Sequence, residues 1–107
     1  MTYRLVIVDR AERDVAHIFK WLAKSSSQGA TAWYNAYIGA IQQIVRLPEH
    51  SGIVAESARL RVEVREKLFK TRSGLKYRII FELQEDLIRI LRIRGPGQPP
   101  LKCRDLK

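Results

Sequence analysis

With 107 residues, the protein has room for one domain around a single buried core, and not for two. Its 46% hydrophobic content includes no run of about 18 apolar residues, which excludes a helical membrane span. Twenty Lys and Arg against 11 Asp and Glu leave a net charge of +9, a balance that draws polyanions or acidic protein partners in a salt-dependent way. The N-terminal stretch is apolar for only about five residues before charge returns at Asp9 to Asp14, so it fails as a secretory signal. One cysteine, Cys103, cannot close an internal disulfide, and a lone tail cysteine is usually incidental. The expected compartment is the cytoplasm.

In chain order, YRLVIV (residues 3–8) is rich in β-branched and large apolar residues and reads as a buried first strand. Asp9 then caps a helix whose apolar stripe is Val15, Ile18, Phe19 and Leu22. Trp21 lies one position off that stripe, where it suits a partner contact. The polar run KSSSQG ends this helix and caps the next. The second helix runs from about Ala30 to Leu47 and buries Trp33, Tyr37, Ala40, Ile41, Ile44 and Leu47; Pro48 stops it. So short a polar link makes the two helices an antiparallel hairpin.

Beyond the loop at 48–58 the period changes to two. In LRVEVREKLF (60–69), Val62, Val64 and Leu68 face one way and Arg61, Glu63, Arg65 and Lys67 the other. Two further strands lie in KYRIIFELQEDLIRILRIRG (76–95), joined by a tight turn at Glu85–Asp86 that pairs Leu83 with Ile88 and Glu82 with Arg89. The tail from about residue 95 is Pro- and Gly-rich and reads as irregular. The expected fold is α+β, in the order β-α-α-β-β-β. A helical hairpin packs on one face of a small, mainly antiparallel four-stranded sheet, all within one domain spanning 1–107.

That register puts Tyr77, Ile79, Phe81, Leu83, Ile88 and Ile90 under the helices, with Arg92 and Arg94 at the far edge of the core face. The opposite face carries Lys76, Arg78, Ile80, Glu82, Arg89, Leu91 and Ile93, beside the outward row of Arg61, Arg65 and Lys67. Glu82 and Arg89 form a cross-strand pair there, while Arg78 faces Ile93 and has no acid opposite. A charged row on a half-exposed sheet is most often plain solvent face. Here exposed Ile80, Leu91 and Ile93 among the cations mark a binding surface instead.

The order of elements, AERDVAHIFKWL, the helix ending in IVRLPEHSG, and REKLF followed by YRIIFELQEDLIRILRIRG together resemble the RelE/ParE superfamily of toxins from bacterial type II toxin–antitoxin systems. The resemblance covers about residues 3 to 101, and YRIIF with its acidic turn and ILRIRG is its most specific part. It implies a growth-inhibiting toxin, associated with plasmid stabilisation, whose antitoxin wraps it in a hetero-oligomer by laying acidic and apolar residues over helices and sheet. Trp21, Arg61, Arg89, Leu91 and Ile93 are the residues expected to meet antitoxin or target.

RelE-like members cleave mRNA on the ribosome; ParE-like members act on DNA gyrase. Cleavage by a ribose 2′-OH needs cations on the phosphate and a group that passes a proton. Arg78 matches the phosphate-binding Arg of the cleaving members, and Arg65, Lys67 and Arg94 fall where further cations stand. The departure is at the C-terminus: Pro96 and Gly97 follow Gly95, and no Tyr or His occurs after Tyr77. This favours a ParE-like, gyrase-directed and non-cleaving toxin. The alternatives are a RelE-like mRNA endoribonuclease working through Arg78 and its neighbours, and a non-toxic basic nucleic-acid-binding module. His17 and His50 lack partners at ligand spacing, so no metal is expected, and GPGQPP does not open a helix after a strand, so no nucleotide cofactor is expected either.

Overall fold

A computed structural model of the protein describes residues 2–54, 57, 64–72, 74–99 and 101–106, with Cys103 in backbone only. Strand β1 (Arg4–Ile7) leads into helix α1 (Asp9–Ala23), then helix α2 (Ser27–Arg46), a 3-10 turn at Pro48–His50, and strands β2 (Gly52–Ile53), β3 (Arg65–Phe69), β4 (Tyr77–Gln84) and β5 (Leu87–Arg94). A last 3-10 turn spans Cys103–Leu106. The architecture is the expected α+β, with one strand more than expected: the sheet is five-stranded, in the order β1-β5-β4-β3-β2. The added strand is the two-residue β2, too short for any period to betray.

Both helices begin about where the polar signals lie. Val8, not Asp9, is the N-cap of α1, so Asp9 stands inside the first turn with Glu12, where negative charge suits the helix N-terminus. Ser26 caps α2, its Oγ accepting from the Gly29 N–H at 2.9 Å, and the helix starts three residues before Ala30. The α2 stripe of Trp33, Tyr37, Ala40, Ile41 and Ile44 is buried as its spacing predicts, but Leu47 at its end is 53% exposed. Trp33, Tyr37, Phe69 and Tyr77 form one aromatic cluster between α2 and the β3–β4 edge.

Strand β1 is not a buried strand. It runs parallel to β5 at the edge of the sheet, Leu5 opposite Ile88 and Ile7 opposite Ile90, and leaves Leu5 and Val6 partly exposed. The tight turn holds: Leu83 pairs with Ile88 and Glu82 with Arg89, around Glu85 in a left-handed conformation at φ 53°.

The ladder then shifts. Phe81 faces Ile90, but Ile80 faces Arg92, so Leu91 is an extra residue on β5. Such a bulge reverses the parity of everything after it. Ile93 therefore lies opposite Ile79 in the helix-covered core, at 1% exposure, and Arg92 and Arg94 move to the other face, opposite Ile80 and Arg78.

The second correction concerns β3. Phe69, not Leu68, turns under the helices, pairing with Tyr77. Arg65 and Lys67 consequently share the helix-side face with Phe81 and Ile79, while Glu66 and Leu68 share the other face with Ile80 and Arg78. The expected outward row of Arg65 and Lys67 does not form; its remaining member, Arg61, lies outside the described residues.

Nor is that other face bare. Val54, Val64, Ile80, Leu91 and Leu101 build a second apolar cluster on it, and the tail lies across it with Leu101 only 2% exposed. The face that the sequence pattern leaves open to solvent is here a second, smaller core.

Candidate functional site: a covered cation cluster and two surfaces

Three arginines meet on the tail-covered face. Arg78 and Arg94 stand directly opposite one another on β4 and β5, with Arg92 two residues along. Like charges so close need counter-charges, and each has found a partner. Arg78 is bound by Glu66 from β3, its Nε and Nη2 lying 2.9 Å and 2.8 Å from Oε2. Arg92 is bound by Asp14 from α1 and also donates from Nη1 to the Asp105 carbonyl at 3.1 Å. Arg94, at 5% exposure, donates from Nη2 to the Pro99 carbonyl at 2.7 Å.

Burial lowers the pKa of Arg94, and neighbouring Arg92 and Arg78 push the same way against Asp105 and Asp14. Asp105 is held below the usual carboxylate value: burial alone would raise it, but the Lys102 N–H and then Arg94 and Arg92 outweigh that effect. The tail that supplies these partners is shaped by a turn in which Gly97 adopts φ 80° and the Gln98 side chain accepts from the Gly95 N–H.

The remaining sequence-derived candidates scatter. Arg65 donates to the Ser51 carbonyl at 2.8 Å and so ties β3 to the loop before β2. Lys67 lines a hollow with Gln43, Leu47, His50, Gly52 and Glu66, and the register turns it to the sheet face opposite that of Arg78. Arg89 pairs with Glu82 at 2.6 Å on a partly exposed face, as the register predicts. Leu91 and Ile93, expected at the surface, are 5% and 1% exposed, the first under the tail and the second under the helices. Trp21 is 63% exposed at the end of α1.

A feature without a plain signal in the sequence is a groove of about 570 Å³ running between the helices to the end of β1, lined by Ile7, Val15, Phe19, Tyr34, Tyr37 and Ile38 with Glu12 at its rim. Phe19 and Tyr34 meet edge to face at 6.2 Å across it and stay more than a third exposed. Phe19 belongs to the apolar stripe of α1; its partial exposure shows that this stripe is wider than the sheet it covers. Tyr37 at the base is pushed up to about 12, first by burial and then by Tyr34 and Glu12. Among the described residues no group of three or more His, Cys, Asp or Glu is placed to hold a metal, and no helix is long and apolar enough to cross a membrane.

A helical hairpin on a five-stranded sheet, an apolar groove along the hairpin and an arginine cluster under the tail are the features that any function must use. The protein belongs to the ParE toxin family of type II toxin–antitoxin systems: the family model for "ParE toxin of type II toxin-antitoxin system, parDE" matches residues 5–98. Membership implies a cognate antitoxin as partner. No curated protein is matched by this sequence.

Proposed function

We propose that this toxin arrests growth by acting on DNA gyrase without cleaving RNA. The observation that carries this reading is the engagement of the candidate cleavage cations. Arg78 is held by Glu66, Arg94 is covered by the tail, and Arg65 and Lys67 sit on the opposite face of the sheet. Four cations so disposed do not converge on one phosphate, and a 2′-OH attack needs both that convergence and a proton-transfer group. The absence of Tyr or His after Tyr77 agrees.

The partner surfaces then divide. The apolar groove between the helices suits the apolar side of an antitoxin segment, with Phe19 and Tyr34 as anchors. Trp21, which is exposed, and Arg89, which is half-buried and paired with Glu82, remain for the target. A supercoiling assay with purified gyrase tests the reading: the free toxin is expected to inhibit supercoiling and addition of antitoxin to restore it, whereas full supercoiling at excess toxin would sink the assignment.

One observation favours the RelE-like alternative. Arg78 and Arg94 are direct cross-strand neighbours, so release of the tail would place two guanidinium groups side by side.

A further inference from the structure

The α1–α2 link and the β3–β4 link come together at one end of the molecule. Trp21, Leu22, Ser25, Ser26 and Gly29 line one hollow of about 280 Å³ with Thr71, Gly74 and Leu75. Trp21 and Leu75 also line the adjoining hollow, and they stand out as a ridge, 63% and 68% exposed.

The charge around this ridge is of one sign. Residues 20–29 and 70–76 contain Lys20, Lys24, Lys70, Arg72 and Lys76 and no Asp or Glu. All five side chains are exposed, and none takes part in an ion pair among the described residues. This is the reverse of the arginine cluster on the sheet, where every cation is answered by an acid or a carbonyl. Five unanswered cations repel one another and cost stability unless something anionic meets them.

We propose that this tip is a binding site for single-stranded DNA, with the five cations on successive phosphates and Trp21 stacked on an unpaired base. Cations flanking an exposed indole are the two parts that sequence-tolerant single-strand binding requires. A duplex keeps its base faces stacked and offers Trp21 nothing. An acidic peptide answers the same cations but brings no regular series of planar faces to Trp21, and polyglutamate stands for it in the test below. The choice of DNA over RNA rests on the gyrase reading above, since gyrase is an enzyme that acts on DNA.

The test uses the full-length protein, freed of antitoxin, and a labelled single-stranded DNA of about 20 nucleotides, with RNA of the same sequence, duplex DNA and polyglutamate in parallel. The DNA strand is expected to bind most tightly. Trp21→Ala should weaken it by at least about fivefold, and the exposed position leaves folding intact. Lys24→Gln with Arg72→Gln should flatten the dependence of log affinity on log salt by about 1.4, two contacts at about 0.7 each.

Unchanged affinity in Trp21→Ala, an unchanged salt slope in the double variant, or tighter binding of RNA, duplex or polyglutamate would each overturn the proposal. Supercoiling measured on the same samples separates the two readings. Gyrase inhibition without DNA binding removes the tip proposal alone, while Trp21-dependent DNA binding without gyrase inhibition supports the tip and removes the gyrase target.

Discussion

Arg92 grips Asp14 with two prongs, Nε donating to Oδ2 at 2.7 Å and Nη2 to Oδ1 at 3.2 Å, and so fastens β5 to α1. The same Oδ2 accepts from the Ile93 N–H at 2.9 Å, which β1 has ended too early to satisfy. A helix carboxylate thus completes the sheet edge just beyond the bulge.

Removing one partner of a pair this well buried strands the other. Asp14→Ala should cost about 3 kcal/mol, read as a fall in the urea midpoint. A loss below about 0.5 kcal/mol, the range of ordinary surface changes, would show that Asp105 alone satisfies Arg92.

Leu101 links the tail to the second core. Leu101→Ala should destabilise by roughly 2–5 kcal/mol and render the segment after Arg94 sensitive to protease. A tail that stays protected with Leu101 gone would mean that the Arg92 and Arg94 contacts hold it by themselves.

In the groove, Phe19→Ser combined with Tyr34→Ser removes both exposed anchors and should weaken antitoxin binding by at least about tenfold, about 1.4 kcal/mol. Stability should change little because both residues are partly exposed. Undiminished affinity, measured by titration calorimetry, would move the antitoxin off the helical hairpin.

Tyr37 predicts an alkaline limit to stability. Its phenol ionises near 10.0 in the unfolded protein and at about 12 in the folded one. Between these values the unfolded state loses the proton first, so stability is complete below 10.0 and declines as pH rises toward 12. Tyr37→Phe should flatten that decline in urea titrations; an identical slope in the variant would assign it to other groups.

Much of the fold is legible in the sequence. Apolar stripes give both helices, and the alternation of YRIIFELQ with the acidic turn gives the β4–β5 register as far as Phe81. What fails, fails where two apolar residues stand side by side. Ile90–Leu91 breaks the alternation of β5, and that break is the bulge; read through without it, Arg92, Ile93 and Arg94 all land on the wrong face. Leu68–Phe69 poses the same choice in β3, decided by the aromatic cluster around Trp33, which no local pattern reveals. From sequence Arg78 has no acid opposite because its partner, Glu66, lies across on β3, the strand whose register local pattern leaves open.

The central claim is that this toxin stops growth without cutting RNA, and its induction without antitoxin in a bacterial host, with mapping of new mRNA 5′ ends, tests it most directly. The expected result is growth arrest with a DNA-damage response and an unchanged pattern of 5′ ends. New ends within translated codons, lost in Arg78→Ala, would contradict it and make the Arg78–Arg94 face a ribonuclease site.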